Sequence, residues 1–193
     1  AVLVGLIAYF GFQWWQNDQR QKAEQASVLY SELLDSTERK NGEALSEEKK
    51  ATANYLIQQL QDDYASSQYA INANFISAKI AADDGNFEAA ATALSWVIDN
   101  ADKPSKALAE IRLARVYIAQ EKYDAALALL NTEKADSFLS MNAELKGDIL
   151  VAQEAWDDAR ASYQQALDAL GESSSFRRRL IPIKLANLPA GDK

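Results

Sequence analysis

Cysteine and histidine are both missing from the chain. Without cysteine there is no disulfide, no thiolate nucleophile and no zinc-thiolate site. Without histidine the commonest general base and the commonest transition-metal ligand are gone as well. Carboxylate or Ser-Lys chemistry stays formally open, but no spacing in the sequence favours it, so the chain reads as no enzyme, with no cofactor and no metal. Glycine and proline are scarce, at seven and three, which leaves few turn signals between long stretches rich in Ala, Leu, Gln, Glu and Lys. That palette belongs to helices. Positive charge is also in deficit: 20 Lys and Arg against 28 Asp and Glu give a net charge of -8. Such a chain repels a polyphosphate backbone, so no nucleic acid is expected as a partner.

What is there is 193 residues with 48% apolar content, enough for one domain with a core and an accessory segment. The first fifteen residues, from Ala1 to Trp15, are apolar except Gln13, and the sequence turns polar at Gln16 and Asn17. Fifteen is short of the roughly 20 residues that a spanning helix needs. The absence of a Met or a charged leader favours the end of a longer transmembrane helix over a signal-peptide core, and a buried amphipathic helix would show polar positions every turn. Trp14 and Trp15 suit the aromatic belt at a membrane surface. The flank from Asn17 to Glu24 carries no basic excess, which points the large domain to the outer side, the periplasm in a Gram-negative bacterium.

Internal repeats organise the rest. A small residue recurs at Ala78, Ala114 and Gly147, an aromatic at Phe87, Tyr123 and Trp156, and an alanine at Ala90, Ala126 and Ala159. All three columns step by 36 and then 33 positions (114 − 78 and 147 − 114), close to the tetratricopeptide (TPR) period of about 34. In a helical hairpin the small residue of the first helix admits the second, the alanine of the second answers it, and the aromatic plugs the turn. Tyr117 and Leu150 lie three positions after their small residue, and Leu94, Leu130 and Tyr163 four after their alanine, on the same helical faces. All of these are expected in the core.

Upstream, Ala23, Ala26, Tyr30, Leu33 and Leu34, then Tyr55, Leu56 and Leu60, predict a helical hairpin bent at Asn41-Gly42. It would cap the first repeat. Downstream, Phe176, Leu180, Ile183 and Leu185 flank Arg177-Arg178-Arg179 and Pro182 and predict a short last helix over the open end of the array. Ser105 is a plausible helix N-cap after Asp102-Lys103-Pro104. Asp83-Asp84-Gly85-Asn86 lacks the acidic spacing of a calcium loop and reads as a hairpin turn.

The blocks Arg112 to Val116 with Asp124 to Leu127, Ala143 to Asp148 with Ala159-Arg160, and the ending Ile183 to Leu188 are similar to the YfgM family, the ancillary subunits of the bacterial SecYEG translocon. The resemblance spans the apolar start and essentially all of the remainder. It implies a single-pass inner-membrane protein with its repeats in the periplasm, associated with SecYEG and the membrane-anchored chaperone PpiD, helping newly translocated client proteins reach periplasmic folding factors. Residue pattern alone stops at a membrane-tethered protein-binding solenoid, and a TPR scaffold for cytochrome c maturation or outer-membrane protein assembly is the alternative.

The fold class expected is thus all-α, a tetratricopeptide-like helical-hairpin solenoid behind a truncated N-terminal transmembrane helix. Residues 1–15 would be the end of that helix, 16–70 the N-terminal hairpin and linker, 71–171 three TPR-like repeats, and 172–193 the capping helix and tail. Where general TPR units place a large apolar residue four positions before the small one, this chain has Asn74, Glu110 and Ala143. The register of each first helix is open there, with Phe75 and Ile111 able to turn inward. If first helices line a concave groove, partner-binding residues would be Phe75 and Lys79, with Asn72, in the first repeat; Leu108, Ile111, Arg115 and Ile118 in the second; and Met141, Glu144 and Asp148, with Val151, in the third. Such a stripe suits an amphipathic helix or an extended apolar segment; core packing of half of these residues is the competing reading. The triple arginine suits a solvated helix face, or contact with an acidic partner or anionic lipid.

Overall fold

The computed structural model describes residues 2–39, 43–132, 136–170 and 175–189. Among them there are helices and turns and no strand. In chain order the helices are α1 (Val2–Thr37), α2 (Glu47–Asp63), α3 (Gln68–Asp83), α4 (Phe87–Asn100), α5 (Lys103–Ala119), α6 (Tyr123–Leu130), α7 (Asp136–Ala152), α8 (Trp156–Asp168) and α9 (Ser175–Ala186). The chain forms two compact units, Ala1–Ile80 and Ala81–Lys193. The expected bend at Asn41-Gly42 lies outside the described residues.

In the first unit α1 is one helix of 36 residues, continuous across the apolar-to-polar change at Gln16 because no proline interrupts it. No helix among the described residues is long and apolar enough to cross a membrane. Leu6, Tyr9, Phe10, Phe12, Trp14 and Trp15 are all exposed, and the Phe12 and Trp15 rings stack with centroids 6.0 Å apart. Farther along, α1 packs on α2, with Ala26 and Leu33 buried on one and Ala53, Leu56, Ile57 and Leu60 on the other. Leu34 and Tyr55, part of the apolar spacing that predicts the hairpin, lie on the outer faces of their helices and are exposed. The N-cap Ser46 accepts a hydrogen bond from the Lys49 amide, with Glu47 and Glu48 in the positively polarised first turn.

In the second unit neighbouring helices pack in sequence, α4 on α5, α5 on α6 and α7, α7 on α8, and α8 on α9. One core cluster gathers Ile111, Ala114, Ala126, Leu130, Leu145 and Ile149, and another gathers Ala143, Tyr163, Ala166 and Ile181. The repeat columns explain the close approaches. Ala114, Ala126 and Ala159 are fully buried, and a Cβ added at Gly147 would stand 2.5 Å from the Tyr163 ring, inside any real carbon contact. The aromatics Phe87, Tyr123 and Trp156, each just after a turn, are half-buried.

Those turns share one backbone solution. Among the described residues, those with positive φ are Gly85 at 74° and Glu121 and Glu154 at 59°, separated by the same 36 and 33 positions (121 − 85 and 154 − 121). Each donates its amide three residues back, and the next residue's amide reaches five back: Asn86 to Ala81, Lys122 to Tyr117 and Ala155 to Leu150, at 2.8–2.9 Å. This is the helix-ending pattern that favours glycine, and only the turn after α3 has one. Two details correct the sequence reading. Helix α5 is capped by Asp102, whose carboxylate accepts from the Ser105 amide at 3.0 Å, because Pro104 already occupies the first turn. The open register also resolves: Asn74 is fully buried and Glu110 nearly so, the one bonded to Ala70 O and Gln61, the other accepting from Thr132 Oγ1. Hydrogen bonds there do what a large apolar side chain does elsewhere.

Candidate protein-binding surface

The expected binding residues divide into three groups by environment. Phe75, half-buried, and Lys79, exposed, lie on α3 in the first unit. On α5, Arg115 is exposed, while Leu108 and Ile118 are half-buried. Ile111 is fully buried in the core cluster with Ala114 and Leu130, so it does not belong to a surface stripe. Its neighbour Glu110 is turned toward Thr132, and Ile111 fills the space in the core as the shifted register allows. Ile118 and Met141 pack on that same cluster and show only part of their surface. Burial, and then the positive Arg115 one turn away, pull the Arg112 guanidinium below its ordinary value; it stays charged at neutral pH.

The third group is occupied by the chain itself. Glu144 is buried and Asp148 half-buried on α7, and α9 brings two cations to them. Lys184 Nζ lies 2.8 Å from Glu144 Oε1 and 2.7 Å from Asp148 Oδ1, and Arg177 Nε lies 3.2 Å from Glu144 Oε2. The Tyr163 hydroxyl donates to Asp148 Oδ1 at 2.7 Å, and the Lys184 ammonium sits 5.7 Å from the centre of the Tyr163 ring. Burial pushes the Tyr163 phenol well above its ordinary value, helped by that hydrogen bond and by the negative charges of Asp148 and Glu144. Ile181 is fully buried behind these ion pairs, and Arg160 holds the Pro189 carbonyl at 2.7 Å. An amphipathic helix therefore already covers the Glu144 and Asp148 face.

The sequence pattern placed Arg177 in a solvated run and assigned no role to Lys184. The signal available was the acidic pair one turn apart on α7, which needs cations once covered. Exposed apolar groups remain on the outer side of α9, at Phe176 and Ile183. Among the described residues no cluster of acidic side chains could hold a metal ion.

Hairpins with recurring small residues, a recurring left-handed turn and a closing C-terminal helix define a helical-repeat protein. The family model described as Tetratricopeptide repeat-like domain matches residues 1–190. Three relatives carry the name Ancillary SecYEG translocon subunit. That of Neisseria gonorrhoeae is 30% identical over 97% of this chain and 86% of its own length. The Haemophilus influenzae protein is 30% identical over 97% and 87%, and the Aggregatibacter actinomycetemcomitans protein 31% identical over 93% and 82%. No solved structure matches the chain. The chain belongs to the tetratricopeptide repeat-like family of these ancillary translocon subunits, the YfgM family.

Proposed function

We propose that this chain is a non-enzymatic protein-binding subunit of the SecYEG translocon, anchored in the inner membrane by a single span that ends in α1, with its repeats in the periplasm. The observation that carries the reading is the shared name of relatives aligned along almost the whole chain. The exposed aromatic surface of α1 supports the anchor: large exposed apolar groups fit a lipid environment, and Trp14 and Trp15 stand where the polar region begins. Arg115, Lys79 and the exposed parts of Phe75, Leu108, Ile118 and Met141 are the residues offered to partners. On the resemblance, those partners include PpiD and client proteins passing to periplasmic chaperones. Affinity capture from membranes solubilised in mild detergent tests this: SecY, SecE, SecG or PpiD should be recovered, and their consistent absence would sink the proposal. Recovery of cytochrome c maturation or outer-membrane assembly factors instead would favour a scaffold for those machineries.

A further inference from the structure

Three features of the contact between α9 and the pair α7 and α8 set it apart from a simple cap. The first is its chemistry. Glu144 and Asp148 stand one turn apart on α7, Lys184 reaches both of them, and Arg177 holds the second oxygen of Glu144. A cap built only for stability has no need of this, since replacing a covered ion pair by apolar side chains is often neutral or stabilising. A face that is uncovered from time to time does need it. Bare Glu144 and Asp148 are hydrated carboxylates, whereas a bare apolar face is an adhesive patch.

The second feature is the weakness of α9 as a helix. It has 12 residues with Pro182 inside, so the amide that would donate back to the Arg178 carbonyl is missing. A helix of that length does not persist alone in water, and α9 is helical because it is docked. The third feature is the small apolar anchor. Ile181 is fully buried and Leu185 and Leu188 only partly, while Phe176 and Ile183 are 67% and 57% exposed. A segment held by so few apolar contacts opens locally while the rest of the fold stays closed.

We propose that the α7 and α8 face bearing Glu144 and Asp148 is a docking site for a basic amphipathic helix of a partner protein, and that α9 is its in-chain occupant, which undocks before the partner binds. The partner helix repeats the pattern by which α9 is held. It places a lysine at the two carboxylates, aliphatic side chains three positions before it and one and four after, as Ile181, Leu185 and Leu188 stand to Lys184, and an arginine seven before, as Arg177 stands. The inference rests on the reading of the chain as a protein-binding subunit and adds to it the chemistry of the partner and the device that closes the site. Because only the open fraction binds, α9 lowers the apparent affinity in proportion to the time it spends docked.

The test uses the full chain in a non-ionic detergent. The probe is a fluorescein-labelled synthetic peptide of residues 175–188, read by anisotropy. Lys184→Glu sets a third carboxylate against Glu144 and Asp148 and opens the site, whereas Arg179→Glu makes the same change of charge at an exposed position of α9 and leaves it closed. Circular dichroism checks that each chain is folded. The peptide should bind Lys184→Glu at least tenfold more tightly than the wild type or Arg179→Glu, raised salt should weaken that binding, and a peptide itself carrying Lys184→Glu should not bind. Equal binding by the three chains, equal binding of the two peptides, or no binding to Lys184→Glu overturns the proposal. Hydrogen exchange of the wild type, read by mass spectrometry, decides the matter if Lys184→Glu does not fold. Amides of α9 should exchange ahead of those of α7 and α8, and faster in raised salt; exchange of all three helices together overturns the proposal. Translocon capture with the wild type, run in parallel, separates the two readings: recovery of Sec subunits alongside any of these overturning results removes the α9 device alone.

Discussion

Replacing Gly147 by alanine sets two effects against each other. Glycine inside a helix is unfavourable by about 0.8–1.0 kcal/mol relative to alanine, so on local grounds Gly147→Ala should stabilise α7. The new methyl carbon, however, would stand 2.5 Å from both Cδ1 and Cε1 of Tyr163, and that ring has little freedom. It is only 3% exposed, and its hydroxyl is tied to Asp148 at 2.7 Å. Overpacking of this kind costs about 1–3 kcal/mol, and displacement of the ring would also loosen a hydrogen bond to a charged group, about 1.5–3 kcal/mol. The expected net loss is about 1–3 kcal/mol, a fall in the thermal midpoint of about 3–10 °C for a chain of this size. Scanning calorimetry on the variant measures it. In a Tyr163→Ala background the clash is gone, and the same substitution should raise the midpoint. A midpoint unchanged or raised by Gly147→Ala in the wild-type background would refute the packing argument.

Other outcomes follow from the same contacts. Glu121→Gly and Glu154→Gly place glycine at left-handed turn positions and should each stabilise by about 0.5–1 kcal/mol, measured by urea titration. Lys184→Ala leaves Glu144 and Asp148 without their shared cation and should cost about 1–3 kcal/mol, below the range for fully buried pairs because Lys184 keeps 24% of its side chain exposed; urea titration should also show less dependence on salt in the variant. The raised Tyr163 phenol contributes stability that is complete below the ordinary tyrosine value near 10 and is lost above it, where the unfolded chain ionises first. Alkaline melts should therefore fall less steeply for Tyr163→Phe. Ala126→Asp forces a carboxylate into a fully buried seam and should unfold the domain, whereas Ile118→Asp, at a half-buried position packed on the same core, should lower the midpoint and leave it folded; both are read by circular dichroism.

The all-helical, TPR-like character was legible because the repeat signal is a packing signal: Ala114, Ala126, Ala159 and Gly147 are small where two helices meet, and the spacing of small residues along the chain records that. The left-handed turns were less visible, since only Gly85 carries the residue the geometry favours, and Glu121 and Glu154 hide the same backbone. The binding stripe was only partly legible. Periodicity assigns a residue to a face but does not say what covers that face. Ile111 shares its stripe with Arg115 yet is core because Glu110, at the position usually held by a large apolar residue, bonds Thr132 instead. Glu144 and Asp148 share theirs with Met141 yet lie under α9, whose Lys184 is 40 and 36 positions away. Tertiary pairing at that distance leaves no periodic trace.

The central claim is that this chain works at the translocon by binding proteins. The most direct measurement is site-specific photo-crosslinking in native membranes, with a photoreactive residue placed in turn at exposed positions such as Lys79, Arg115 and Gln165. The account predicts adducts with SecYEG subunits, with PpiD or with polypeptides emerging from the translocon, concentrated at some of these positions and absent from others. Uniform absence of such adducts in a chain shown to be folded and membrane-associated would contradict it.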